Sequence, residues 1–278
     1  VSPIVPRDLD VDVSAVPRHW MANNATDTAI ANGVNLLFPH GERFFVRSVK
    51  HFLDRIDDPE LRAQIKGFFG QEGRHAHAHD EVNAILRAQG FEVDQFLERY
   101  KRIASWIEAR TPPKLNLAIT AAMEHFTAIL AEGAFKLSIL DDAAPEMRRL
   151  LAWHAAEEIE HKAVAFDVLQ RIDPSYALRI TGLVWATALL GGFWAWGTAS
   201  LLRQEDLGGL RGLRGLRGLR GLRDAGRRDP IVRRVFLRGI REYLRPSFHP
   251  GQNSNETLAA SWMAERGMAL PGGTSEAA

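Results

Sequence analysis

The chain has 278 residues, 46% of them hydrophobic and 25% charged, with a formal net charge of +1. That is long enough to bury a full core, as one large domain or a domain with an appendage, and the near-neutral balance argues against nucleic acid as a partner. There is no cysteine, which excludes disulfides, a catalytic thiol, an iron–sulfur cluster and a Cys-bound iron able to supply electrons from within the chain.

Residues 1–17 are mixed and punctuated by proline, without the basic-then-apolar order of a secretory signal. The cytoplasm, or the cytoplasmic face of a membrane, is therefore the expected compartment. Phe38, Glu42, Phe45, Val49, Phe52 and Ile56 then step by four and three along one helical face. A second helix opens at Pro59 and is closed by Gly90, giving about thirty residues or roughly 45 Å. Its apolar stripe runs through Leu61, Ile65, Phe68, Glu72, His75, His79, Val82 and Leu86.

A crossover segment carries a helix through Phe96, Tyr100, Ile103 and Ile107 and stops at Thr111-Pro112-Pro113. The third main helix has Leu117, Ala121, Glu124, Ala128, Ala131 and Phe135 on one face and is expected to end at Asp141-Asp142. The fourth runs from Pro145 to Asp173-Pro174, with Met147, Leu151, His154, Glu158, His161, Ala165, Val168 and Ile172 in register. No stretch has the alternation and turn residues of a hairpin sheet, so the expected class is all-α.

Polar residues thus interrupt otherwise apolar seams, and they form a set: Glu42, Glu72-x-x-His75, Glu124 and Glu158-x-x-His161. One glutamate from each of two helices and Glu-x-x-His from each of two others is the ligand set of a carboxylate-bridged dimetal site in a four-helix bundle. The intervals of 30, 52 and 34 residues suit two helical hairpins joined by a long crossover. One Glu-x-x-His alone would more often lie on a solvated face or in a buried ion pair. Four core-facing carboxylates together need cations, because each would otherwise cost several kcal/mol or neutralise itself. Two divalent ions, iron first and manganese second, match oxygen-rich ligation with imidazole.

His154 lies one turn before Glu158 and is expected to join the ligands. His79, one turn after His75, is expected either to do so or to hydrogen-bond a ligand from behind. His77 points to the opposite side. His125 is rotated about a hundred degrees from Glu124 and is expected at the surface or behind the ligands. His19, His40, His51 and His249 have no assignable partner.

From Ile180 to Leu202 no residue is charged, and Trp185, Trp194 and Trp196 fall within the run. Its length suits a membrane span and the tryptophans suit interfacial anchors. Gly191-Gly192 and Gly197 are expected to break it, so a helix lying in the interface or a re-entrant pair is preferred to a full span. A helix buried over the mouth of the bundle is the competing reading. Five Gly-Leu-Arg units follow from Gly209 to Arg223, read as a solvated linker that could meet anionic head groups. A short docking helix is expected over Ile231 to Leu244. The resulting organisation is a bundle at 20–175, an apolar segment with linker and docking helix at 176–250, and a tail at 251–278.

Phe38-Pro39-His40-Gly41-Glu42-Arg43-Phe44-Phe45, Gln71-Glu72-Gly73-Arg74-His75 with His79, and His154-x-x-Glu157-Glu158-x-Glu160-His161-Lys162 resemble the signatures of the bacterial "predicted metal-dependent hydrolase" family over about residues 20–250. The resemblance implies a metal and an all-α, ferritin-like four-helix bundle with a long crossover and a C-terminal apolar and amphipathic helical appendage. The Gly-Leu-Arg expansion has no place in that pattern. The His-x-x-x-Glu-x-x-His helix is also similar to that of the arylamine N-oxygenases.

On chemical grounds the expected activity is O₂-dependent oxidation or oxygenation of a small, apolar molecule, with an external electron donor. The alternatives are two-metal hydrolysis, as the family label has it, and a non-catalytic ferroxidase or iron-binding role. In the oxidative reading Glu72 and Glu158 bridge, Glu42 and Glu124 are terminal, and His75 and His161 bind one metal each, with His154 completing one shell. Phe45, Phe68 and Leu151 would wall the substrate site. Peripheral membrane contact through 180–202 and a second copy of the chain complete the expected partners.

Overall fold

The computed structural model describes residues 3–205 and 237–265. Its helices are α1 (Ala25–Asn35), α2 (Phe38–Lys50), α3 (Pro59–Ala88), α4 (Asp94–Glu108), α5 (Pro113–Lys136), α6 (Pro145–His161), α7 (Val164–Ile172), α8 (Tyr176–Leu202), α9 (Leu237–Tyr243) and α10 (Glu256–Glu265). No strand occurs among the described residues, so the chain is an all-α bundle. The starts follow local chemistry. Asp58 accepts from the N–H groups of Glu60 and Leu61 while Pro59 fills the first position of α3. Ser175 caps α8 through Leu178 N–H. Gly90, at φ +87°, follows the end of α3 in a conformation that favours glycine.

The sequence stripes become the packed faces. Phe45, Val49, Phe52, Ile56, Ile65, Phe68, Leu117, Phe126 and Phe166 form one apolar cluster. Trp20, Val82, Met147, Leu150, Trp153 and Ile159 form a second. α2, α3, α5 and α6 carry the polar residues that interrupt these stripes.

Two segments close around this frame. Residues 3–17 have no helix and lie along α3, where Gly67 leaves no room for a side chain against the carbonyl of Ile4. On the other side α8 packs along α5 and α1. A Cβ on Gly182 would stand 2.5 Å from the backbone carbonyl of Ala118, so the two helices touch nearly backbone to backbone.

Several boundaries differ from those expected. α1 was not anticipated. α5 ends at Lys136 rather than at Asp141-Asp142, because Ser138 takes a left-handed φ of +52° just past the last turn. The expected fourth helix is interrupted at Lys162 and Ala163. There the Lys162 ammonium turns to Asn253 O at 2.6 Å, Asn255 Oδ1 at 2.5 Å and Glu256 Oε1 at 2.7 Å.

Gly191-Gly192 does not break α8, which is one continuous helix. Each glycine costs only about 1 kcal/mol, less than the packing of the flanking Leu189, Leu190 and Phe193 returns. A re-entrant pair is thereby excluded. Of its tryptophans only Trp185 is exposed. Trp194 donates to Ile30 O at 2.8 Å and Trp196 packs on Phe96. The docking helix is present as α9 over Leu237–Tyr243. The Gly-Leu-Arg units and residues 231–236 lie outside the described residues. α10 packs on α6 with Ala259 and Met263 buried.

Candidate metal centre

Glu42 comes from α2, Glu72, His75 and His79 from α3, Glu124 from α5, and His154, Glu158 and His161 from α6. All eight are buried, and the structure brings all of them into one cluster. Their ligand atoms form four groups, each within 4.8 Å: Glu72, Glu124 and His161; Glu42, Glu72 and His75; His75, His154 and Glu158; Glu42, His79 and His154. The first group shares only Glu72 with the others, and the other three overlap through Glu42, His75 and His154.

Each imidazole is held from behind. His75 Nε2 lies 3.0 Å from Glu157 Oε2, so that carboxylate fixes the proton on Nε2 and leaves the Nδ1 lone pair facing inward. Inward, Nδ1 lies 3.8 Å from Glu72 Oε1 and 3.7 Å from Glu158 Oε1. His161 Nδ1 donates to Gln71 Oε1 at 2.8 Å, turning its Nε2 lone pair toward Glu72 at 3.1 Å, Glu124 at 3.4 Å and Glu158 at 3.5 Å.

The third imidazole is set by a chain of bonds. Asn35 Nδ2 donates to Asn83 Oδ1 at 3.0 Å, so Asn35 Oδ1 is the atom that meets His79 Nδ1 at 2.6 Å and must accept. His79 then offers a lone pair at Nε2 to the Nδ1–H of His154, 2.7 Å away. His154 is left with an Nε2 lone pair 2.8 Å from Glu158 Oε1 and 3.7 Å from Glu42 Oε1. Both nitrogens of His79 are thus occupied, and it orients His154.

Three imidazole lone pairs directed at carboxylate oxygens repel unless a proton or a cation lies between them. Both oxygens of Glu42, Glu72 and Glu124, together with His75 Nδ1 and His161 Nε2, are buried without a hydrogen-bond partner. At about 1–3 kcal/mol for each orphaned atom, eight would cost on the order of 8–24 kcal/mol, comparable with a domain's whole stability of about 5–15 kcal/mol.

Electrostatics point the same way. Burial, then the neighbouring carboxylates, pushes Glu42 and Glu72 well above the usual range. Burial and Glu158 raise Glu124 to about 7. Burial would raise Glu158 too, but His161 and His154 hold it well below its ordinary value. Burial would lower His161, yet Glu158 and the other carboxylates draw a proton to it and push its pKa well up. A divalent cation would meet the same demand for positive charge without that proton. The donor set fits a metal, and the buried glutamate and histidine groups suit a divalent ion.

Glu157, Gln71, Arg7 and Asn35 support this cluster and were not singled out from sequence as functional. Burial raises Glu157 to about 7 against the opposing effect of Arg7. Arg7 reaches it through its backbone N–H at 3.1 Å and its guanidinium at 3.3 Å. Glu157 and Gln71 each precede a candidate ligand glutamate by one residue, and this was the signal available. Thr127 donates a short hydrogen bond to Glu158.

Other histidines are settled as well. His77 is exposed beside Glu81. His125 is neither at the surface nor behind the ligands. It is buried, bonds Gly239 O at 2.9 Å and packs on Tyr243 and Phe248, because the rotation that takes it away from Glu124 aims it at α9. His19 meets Glu205 at 3.2 Å and His249 meets Asp167 at 2.7 Å.

A narrow apolar pocket reaches Glu42 from outside. Leu37, just before α2, and Phe38, Gly41 and Phe45 of α2 line it with Tyr100, Ala104 and Ile107 of α4, Ile119 and Met123 of α5, and Leu189, Leu190 and Phe193 of α8. Of the expected wall residues, Phe45 lines this pocket. Phe68 packs against the His161 ring instead, and Leu151 is half-buried away from the lining.

No curated protein and no solved structure matches the chain. The model of one family, described as "Predicted metal-dependent hydrolase", matches residues 5–254. A buried glutamate–histidine cluster that suits a divalent metal lies within that span and agrees with the description, and the chain belongs to this family.

Proposed function

We propose that the chain is a dimetal hydrolase acting on an ester, amide or phosphoester with a substantial apolar part. The observation that carries the metal centre is the set of inward imidazole lone pairs and orphaned carboxylate oxygens of Glu42, Glu72, Glu124, His75 and His161. In this reading Glu42, Glu72, Glu124, Glu158, His75, His154 and His161 would hold the two metals, with Glu72 belonging both to the Glu124–His161 group and to the Glu42–His75 group. Two divalent ions held there would supply Lewis-acid polarisation of a carbonyl or phosphoryl oxygen and a more acidic water.

The chain's own residues supply the rest. Glu157, Gln71 and the Asn35–His79 pair fix the imidazole tautomers. The walls from Phe45, Ile119 and Phe193 hold an apolar group and exclude bulk water, with Glu42 at the inner end. The family description places hydrolysis ahead of the oxidative activity expected from the ligand set. O₂-dependent oxidation remains the second reading, favoured by the carboxylate-rich donor set, which suits iron or manganese.

The deciding experiment loads apoprotein anaerobically with Mn(II), Zn(II) or Fe(II) and screens acyl esters, amides and phosphoesters. Turnover without O₂ or reductant that disappears in Glu158→Ala supports hydrolysis. Inactivity in that screen, with O₂ consumption by the Fe(II) protein at about two irons per chain, would transfer the assignment to oxidation.

A further inference from the structure

The pocket that ends at Glu42 is walled on its outer side by α4 and α8, and the outward faces of those helices have an unusual composition. Along α8, Thr181, Val184, Trp185, Ala188, Gly191, Gly192 and Ala195 are exposed and none is charged. Val184 is 62% and Trp185 39% exposed, and only 22% of the helix's most apolar stretch is buried. Along α4, Arg99, Arg102, Ile103 and Trp106 recur at helical spacing on one exposed face, and Arg110 follows just past its end. Trp106 is 56% exposed, with the Arg110 guanidinium 4.3 Å above its ring.

A monomer surrounded by water rarely leaves so long an apolar face open. Basic and aromatic residues beside an uncharged face are the composition of a helix that lies in a lipid interface. α8 is long and apolar enough to cross a membrane, but Gly182 holds it against the backbone of Ala118. It therefore cannot leave the bundle, and contact must be lengthwise. With Arg110 just beyond its end, Arg99, Lys101 and Arg102 outnumber the exposed Asp94 and Glu98 of α4, and Asp94 is paired with Arg87. That charge complements anionic head groups.

We propose that α4 and α8 form one lipid-facing surface that seats the chain on an anionic membrane, and that the pocket between them admits the acyl chain of a lipid-type substrate. The surface stands on its own observations, and the substrate part rests on the function proposed above. An acyl chain entering between Ile107 and Leu189 would bring its polar end toward Glu42 without crossing water.

The test is flotation of the full-length, metal-loaded chain with phosphatidylcholine vesicles, with and without about one-third phosphatidylserine. The chain is expected to float with the anionic vesicles and to be released by salt. Val184→Glu with Trp185→Glu should abolish flotation, and each of Arg99→Glu and Arg102→Glu should weaken it about five-fold or more. Metal stoichiometry and turnover of a water-soluble ester should stay unchanged in all of these variants. Failure of the wild-type chain to float would overturn the surface, as would flotation indifferent to these substitutions. So would a wild-type dimer that Val184→Glu dissociates in the absence of any lipid binding. Flotation without turnover of any acyl ester, amide or phosphoester would leave the surface standing and refute the proposed activity.

Discussion

Arg7 and Glu160 meet end on, Nη1 at 2.7 Å from one carboxylate oxygen and Nη2 at 2.7 Å from the other. The same guanidinium touches Glu157, and Gln71 Nε2 donates to Glu160 Oε2 at 2.9 Å. One arginine from a segment without helix therefore governs the groups behind both His75 and His161. Arg7→Ala should lower metal affinity by about 10–100-fold while leaving the stoichiometry intact. Competition with a chromophoric chelator measures this, and an unchanged affinity would show that Glu157 and Gln71 hold their positions alone.

His154 and His79 should separate cleanly. With its Nε2 free toward Glu158 and Glu42, His154 predicts that His154→Ala loses about one metal per chain. His79, with both nitrogens occupied, predicts that His79→Ala keeps the metal count and loses only affinity, again about 10–100-fold. Metal analysis after gel filtration reads the difference, and equal stoichiometric loss in both variants would make His79 a ligand.

Chelation should destabilise the fold. Metal at a hundred times its Kd adds about 2.7 kcal/mol per site, and a chain of this size shifts by roughly 2–4 °C per kcal/mol. Stripping both sites with EDTA should lower Tm by about 10–20 °C, and Glu72→Ala with Glu158→Ala should make Tm insensitive to EDTA. A Tm indifferent to chelation in the wild-type chain would count against the centre.

Two glycines of α8 predict opposite signs. Gly182→Leu forces a side chain into the backbone of α5 and should cost about 1–3 kcal/mol or more. Gly191 faces open space, so Gly191→Ala should stabilise by about 0.4–1 kcal/mol. Urea midpoints compare them directly.

What could be read from sequence was what period and spacing encode. The stripes through Glu42, Glu72, Glu124 and Glu158 placed every candidate ligand in one core, because a helical register tells which face a residue shares. The tautomers, the role of Glu157 and the reach of Arg7 across 150 positions depend on which surfaces meet, and a register is silent on that. Ser138 ended α5 early through a left-handed φ that serine seldom adopts. Gly191-Gly192 misled in the opposite direction, because local propensity gave way to the packing of α8 on its neighbours.

The segment carrying Arg7 has no hydrogen-bonded helix to lose, and its buried core residues, Val13 and Val16, come only after Arg7. Segments of this kind open at free energies below that of global unfolding. Opening of this segment would take Arg7 away from Glu157 and Glu160, and with it the support behind His75 and His161. Ion exchange would be timed by the release of this latch, and the rate at which a chelator strips the protein should rise in Arg7→Ala even at temperatures where the helices are fully formed.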